Sequence, residues 1–519
     1  MRINRTKNAT RNITSGFALK LYQLITPFVI RTMMIHLMGM EYVGLNSLFA
    51  SILQVLNLAE LGVGSAMVFS MYKPIAEDDP EKICSLMNLY KKYYRIIGLV
   101  VLAGGLIVMP LLPYLISGDY PAGINIYVLY LLNLGATVLS YWLFAYKNCL
   151  LTAHQRTDVT NKITMLVSTF QYILQGVVLF AFRNYYIYLI VALLSQAILN
   201  ISTAICVSKM YPDYSAKGVL EKTEVKKINQ RVRDLFTSKL GSIVVNSADT
   251  IVISAFLGLT VLGMYNNYYY ILTSVMSFVT IIFTAITAGI GNSLIIESEE
   301  KNLNDLHRFA FLISWIGAFC SCCFLTLYQP FMSIWVGEEY LISYGCVICF
   351  AAYFYIRVVN QVLIVYKDAA GMWHEDRFRP LVTATTNLIM NLIMVQFIGL
   401  YGILLSTVLS TLFVGMPWVI HNLFTVRFKT GEKKFIRDIL LYAAVAVVAC
   451  ILSCLICSFF SIIGIVQLAI NLLICCIVPN MIFIIVFGRT KVFKDSIALV
   501  DRVIGNKVKL AHKIFMKIV

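Results

Sequence analysis

The chain has 519 residues, of which 59% are hydrophobic and only 13% charged, with a formal net charge of +16 and a mean hydropathy of +0.80. A soluble surface needs roughly twice that charge density, so a soluble enzyme and a soluble nucleic-acid binder are excluded, and the bilayer is the solvent for most of the molecule. The positive balance must then come from topology, because no polar domain carries it.

A membrane-spanning helix needs about 20 mostly apolar residues. In chain order the sequence predicts fourteen, near 16–38, 43–72, 94–114, 122–146, 160–181, 185–208, 235–257, 262–290, 309–330, 341–366, 380–398, 401–424, 438–459 and 463–487. The first stretch is too long for a cleaved signal and lacks a small-residue cleavage pattern, so it is expected to stay as helix 1. Basic residues cluster before helix 1 and after helices 2, 6 and 12, as in Lys73, Lys91, Lys92, Lys226, Arg231, Lys433 and Arg437. The loops on the other side carry Arg183 and mostly acids such as Glu338 and Glu339. The positive-inside rule therefore predicts both termini in the cytoplasm. The segment 209–234 reads as a charged loop with a short surface helix. The tail from Arg489 reads as a basic amphipathic helix on the inner leaflet, with Ile497, Val500 and Phe515 on its apolar face.

An internal repeat organises these helices. Lys20-Leu21, Gly39, Gly44 and Ile52-Leu53 recur as Lys239-Leu240, Gly258, Gly263 and Ile271-Leu272, all at one offset of 219 residues. Tyr146-Lys147 with His154 recurs as Tyr366-Lys367 with His374, one residue out of that register. The expected organisation is an N-terminal six-helix half over 1–234, a second six-helix half over 235–436, extra helices 13–14 over 437–487 and the basic tail over 488–519. The expected fold is thus an all-α integral membrane protein of two parallel six-helix bundles plus two helices, an arrangement suited to alternating access.

Charges inside the predicted spans carry the functional signal. Lys20, Gln23, Pro27 and Arg31 share one face of helix 1, with the two cations about 16 Å apart along the axis. The repeat maps that face to Lys239, Ser242, Asn246 and Thr250, with Asp249 beside it, and helix 10 adds Arg357 and Asn360. Helix 2 carries Asn57 and Glu60. Each ionised group costs about 2.5–3.5 kcal/mol at mid-bilayer depth, so these side chains should face one another or a polar cavity. Cations outnumber anions, which points to an anionic ligand such as a diphosphate on Lys20, Arg31, Lys239 and Arg357, with Gln23, Asn57, Asn246 and Asn360 as polar lining. Asp249 and Glu60 read as ion-pair partners or as sites for a coupling H⁺ or Na⁺. Lys20 and Lys239 could instead snorkel to the membrane surface. His154 and His374 read as solvated loop residues. The thirteen cysteines lie mostly within apolar segments and read as small packing residues, with no metal site. No phosphate-binding glycine loop and no loop of catalytic size is present, so neither an ATPase nor another enzyme is expected.

The basic arm running into a polar helix 1, the run from Leu56 to Ala66 (LNLAELGVGSA) and the segment from Asn246 to Gly258 followed by Gly263 to Tyr269 resemble bacterial polysaccharide flippases. These belong to the multidrug/oligosaccharidyl-lipid/polysaccharide exporter superfamily. The resemblance covers about residues 1–490. It implies translocation of an undecaprenyl-diphosphate-linked oligosaccharide across the bacterial cytoplasmic membrane for capsule, O-antigen or exopolysaccharide synthesis, with a polysaccharide polymerase as a candidate partner and no cofactor. Fourteen helices also match the lipid II flippase branch, whose last two helices form a groove for the lipid tail. A drug exporter of the same superfamily and a non-transporting scaffold of a glycan pathway are the alternatives; the former calls for a net acidic cavity, the latter for charges that pair off.

Overall fold

The computed structural model describes residues 5–118, 120–460 and 464–501; the side chains of 5–7, 9–10, 234, 237–246, 284–285 and 288 lie outside that description. The described chain is helical, and it divides into two compact units, Met1–Asn266 and Asn267–Val519. The division falls within a helical run.

In the first unit, α1 (Arg5–Leu37) runs on through Pro27 to a turn at Gly39. The second span is not one rod. It comprises α2 (Met40–Leu56), a tight turn of 3₁₀ helix at Asn57–Glu60, and α3 (Val63–Ala76). Then come α4 (Pro80–Val108), α5 (Ile126–Trp142), α6 (Asn148–Ala153), α7 (Thr157–Val177) and α8 (Tyr185–Met210). Side-chain oxygens close the helix starts: Asp79 accepts from the Lys82 amide, and Asn125 and Asn184 each accept from two amides of the following turn. Between α5 and α6 the chain bends by 47°, so the predicted span 122–146 stops at Trp142 and resumes at Ala145.

The expected surface helix within 209–234 is a different object. Residues 211–221 are irregular, and α9 starts at Lys222 and continues without a break into the next span. Its full run, Lys222–Ile296, is interrupted once, at Gly258, where φ is +86°. Such a backbone is open to glycine and strained for any residue with a Cβ.

The second unit takes up the rest of α9 and holds α10 (Glu299–Val336), α11 (Tyr344–Ala369), α12 (Arg379–Ser410), α13 (Met416–Asn422), α14 (Glu432–Ser458), α15 (Ile465–Phe487) and α16 (Lys491–Val500). Backbone breaks at Ile398 and Gly399 turn α12 back on itself. Asn387 donates to Thr407 at 3.0 Å, and the Ser406 hydroxyl bonds Asn391, so the two arms run antiparallel. This is the short turn anticipated between 398 and 401.

Among the described residues, eleven helical runs are long and apolar enough to cross a membrane, twelve when the bent α5–α6 pair is counted as one crossing. Large apolar side chains such as Ile107, Phe180, Phe397 and Ile485 are exposed, as a lipid-facing surface requires. The molecule is therefore a multi-pass membrane protein.

α14 and α15 pack on α10 through a core of Phe311, Tyr442, Phe483 and Phe487, with Trp315 stacked 6.0 Å from Phe483. α16 joins the same core. Phe493 and Ile497 are buried in it, and Asp495 pairs with Arg308 at 2.8 Å. The start of the tail is thus docked on protein, where an inner-leaflet lipid contact was expected; Phe515 lies outside the described residues.

Candidate functional site

On α1, Arg31 is half-buried and donates to the backbone carbonyl of Asn266 at 3.0 Å. Lys20 and Gln23, on the same helical face, are exposed. Asp249 and Thr250 are buried on α9; the side chains of Lys239, Ser242 and Asn246 lie outside the described residues.

The structure brings Asn57 and Glu60 together. Both sit on the 3₁₀ turn that breaks the second span, where helical hydrogen bonding gives way to side-chain partners. Tyr94 donates to one Glu60 carboxylate oxygen at 2.7 Å, and Tyr141 reaches the other at 3.0 Å. The Tyr141 hydroxyl also stands 3.0 Å from the Asn57 oxygen, and Tyr90 donates to Tyr94 at 2.6 Å. Glu60 is therefore held by phenols, and no described cation pairs with it.

In the second unit Arg357 donates to the Tyr353 hydroxyl at 2.8 Å, with its guanidinium 5.6 Å from that ring's centre and Tyr269 beside it. Among the described residues its partners are phenols, not carboxylates. One turn on, Asn360 is buried, and its side-chain oxygen has no hydrogen-bond partner among the described residues.

The second pair of repeated lysines behaves differently. Lys147 donates to Ser208 at 2.6 Å. Lys367 is buried and ion-paired, 2.6 Å from Asp368 and 3.3 Å from Asp376, which also forms a bidentate pair with Arg379. Their company of opposite charges makes this cluster self-neutralising.

His154 departs from the expected solvated loop. It is buried, its Nδ1 lies 2.9 Å from the Leu150 carbonyl, and its ring lies 4.5 Å from that of Tyr211. Burial pushes its pKa below the usual 6.5. His374 is exposed as expected. Cys322 and Cys450 lie 3.6 Å apart within the α10–α14 contact, consistent with packing. No group of described residues could hold a metal ion.

The described residues of the first unit line cavities that include the following two. One of about 410 Å³ is lined by Lys92, Lys222 and Lys226 with Asn88 and Asn229. The other, of about 510 Å³, is lined by Phe69, Tyr72, Tyr90, Tyr94, Asn148 and Thr152 among others and by no charged residue. The tyrosines around Glu60 and Arg357 escaped the sequence reading because the chain has 30 tyrosines. The i, i+4 spacing of Tyr90 and Tyr94 beneath an intramembrane acid was the available signal.

Solved structures share this fold. The lipid II flippase MurJ in an inward closed conformation superposes with a TM-score of 0.66 at 15% identity, covering 91% of this chain and 98% of that one. A multidrug resistance MATE family transporter of the MOP superfamily matches in its inward-facing conformation with a TM-score of 0.56 at 13% identity, over 81% of this chain and 95% of that one. An outward-facing conformation of such a transporter matches at 0.52 and 12% identity, over 83% and 96%. No curated protein matches the sequence. Residues 9–287 match the family described as polysaccharide biosynthesis protein, more than half of the chain, and the chain belongs to that family, with the fold of the MOP exporters.

Proposed function

We propose that this protein is a flippase that moves an undecaprenyl-diphosphate-linked oligosaccharide across the bacterial cytoplasmic membrane for capsule, O-antigen or exopolysaccharide synthesis. It works by alternating access, with Lys20, Arg31, Lys239 and Arg357 as the diphosphate-binding cations. The observation that carries this reading is Arg357, a full positive charge within a membrane span whose partners among the described residues are the phenols of Tyr353 and Tyr269. Such a charge is costly unless an anion visits it, and a guanidinium suits a phosphate in two-point contact. Membership of a polysaccharide biosynthesis family supports a glycan cargo. The fold shared with a lipid II flippase supports a lipid-linked one, and inward- and outward-facing relatives of the same fold support alternating access.

In this reading the interrupted runs α9 and α12 each cross twice, which with the twelve crossings above makes fourteen, arranged six plus six plus two with both termini in the cytoplasm. A membrane potential negative inside then favours outward passage of the anion by about 2.3 kcal/mol per charge per 100 mV. Asp249 and Glu60 are the places where an H⁺ or Na⁺ would couple to the cycle, Gln23, Asn57, Asn246 and Asn360 supply polar lining, and a polysaccharide polymerase would take the exported unit.

The test is mass spectrometry of lipids that co-purify with the full-length protein and with the variant carrying Ala at positions 20, 31, 239 and 357. A polyprenyl-diphosphate oligosaccharide on the native protein that is lost from the variant supports the proposal, and its mass identifies the glycan. Bulk phospholipid alone on both overturns it.

A further inference from the structure

The uncharged cavity of about 510 Å³ in the first unit has a volume within the range of about 300–1,000 Å³ of small-molecule sites. It lies along α3, beyond the break in the second span, against α4 and α6. Gly64, just beyond the 3₁₀ turn, leaves room in front of the Tyr90 hydroxyl; a Cβ there would lie 3.1 Å from that oxygen. The floor is the Tyr90–Tyr94 pair, tied through Tyr94 to Glu60. The wall is aromatic: Phe69 and Tyr72 are both exposed, with ring centres 6.2 Å apart and an edge-on geometry. Arg231 caps the outer face of Phe69, 4.8 Å from its centre, and donates to Ser70.

The polar groups that line this space have capacity to spare. Among the described residues the Ser65 and Tyr72 hydroxyls have no hydrogen-bond partner. The Asn148 oxygen is taken by Thr160 at 2.9 Å, which leaves its amide nitrogen to donate. Aromatic faces beside amides and hydroxyls, with no charged residue in the lining, match a pyranose ring: its C–H face stacks on the aromatics, and its hydroxyls bond the amide and phenol. The lining does not match a diphosphate. The neighbouring cavity of about 410 Å³ makes the contrast, because lysines line it and no aromatic ring does.

We infer that the Phe69–Tyr72–Asn148 cavity is a subsite for an uncharged sugar ring of the cargo, separate from the cations that take its diphosphate. This rests on the flippase reading above. The experiment measures binding of two probes to the full-length protein in lipid nanodiscs: a polyprenyl diphosphate carrying one neutral N-acetylhexosamine, and the same lipid without sugar. The native protein should prefer the glycosylated lipid. Tyr72→Ala, Asn148→Ala and Gly64→Val should each weaken it by about tenfold, as for the loss of a stacking face or a hydrogen bond, and leave the sugar-free lipid unchanged. Retained sugar preference in all three variants overturns the subsite and leaves the flippase reading standing. An equal loss of both lipids also overturns it, since the effect is then not on the sugar. If the native protein binds neither lipid, the flippase reading falls and takes the subsite with it.

Discussion

Gly44 and Gly263 occupy equivalent places in a reciprocal backbone crossing. A methyl at Gly44 would overlap the Leu259 carbonyl oxygen, and one at Gly263 would stand 2.5 Å from the Met40 carbonyl oxygen. Met40 and Leu259 are separated by the same 219 residues as the two glycines, so each repeat presents its glycine to the other's helix start. Glu41 and Thr260, equivalent again, meet side chain to side chain at 3.2 Å. The local contact is thus reciprocal, in step with the sequence repeat. Gly44→Ala and Gly263→Ala should each destabilise the protein by about 1–3 kcal/mol through overpacking. Thermal unfolding in detergent checks this, with an exposed control such as Gly289→Ala, where a Cβ meets open space.

Arg357 is the cation on which the functional proposal leans most. Arg357→Gln should reduce lipid-linked glycan transport by about tenfold or more, since a charge-assisted contact is lost, while expression and melting temperature stay near native. Arg357→Lys should not restore it, because an ammonium lacks the planar fork of donors. Transport in reconstituted vesicles, read beside thermal stability, separates this from a structural role. A melting temperature that falls along with transport in both variants would assign Arg357 to packing.

The Glu60 cluster yields a stability prediction. Glu60→Ala removes the acceptor for Tyr94 and leaves that buried phenol unsatisfied, at about 1–3 kcal/mol. Tyr141 keeps Asn57 as an acceptor, so its share should be smaller. Tyr94→Phe should cost less in the Glu60→Ala background than in the native protein, the remaining cost being the Tyr90 hydroxyl that loses its acceptor. A double-mutant cycle by thermal unfolding would show coupling of about 0.5–3 kcal/mol, and additive effects would break the assignment.

The spans were legible because a bilayer demands about twenty apolar residues of every crossing, and the α12 hairpin was legible from the Gly399 and Gly402 that flank its turn. Partners of intramembrane charges were not. Glu60 and Arg357 stood out as charges against an apolar background, but the tyrosines that hold them look like any others in an aromatic-rich chain. Lys367 was legible only as a repeat of Lys147, and Asp376 neutralises it from beyond the helix end; only the fold brings that loop back. The start of α9 was missed because charge suggests a loop, whereas Lys222–Val232 simply carries the next span's helix out beyond its apolar part.

His154 gives a pH prediction. Its folded pKa lies below the unfolded value of about 6.5 because burial disfavours the imidazolium. Above pH 6.5 the ring is neutral in both states and has no effect. Below that value the unfolded chain binds a proton that the folded chain resists, so stability falls as pH drops through 6.5 and levels off below the folded pKa. His154→Gln should flatten this part of the stability–pH profile. Melting temperatures from pH 5 to 8 provide the test, and an unchanged acid slope in the variant would show that another group is responsible.

The docked helix α16 is the last test. Phe493 is fully buried, with its ring centre 5.7 Å from Trp315 and 6.1 Å from Phe311, and Asp495 pairs with Arg308, which also holds Asp305. The aromatic term should dominate, because removing a buried Phe costs about 3–5 kcal/mol, whereas a partly exposed ion pair contributes about 1 kcal/mol or less. Phe493→Ala should therefore detach α16, and Asp495→Asn should leave it in place. Limited trypsin digestion at Lys491 and Lys494 reads this directly. Rapid cleavage in Phe493→Ala, with native resistance in Asp495→Asn, is the expected result. Equal resistance in both would mean that the lipid surface, not the α10 core, holds this segment.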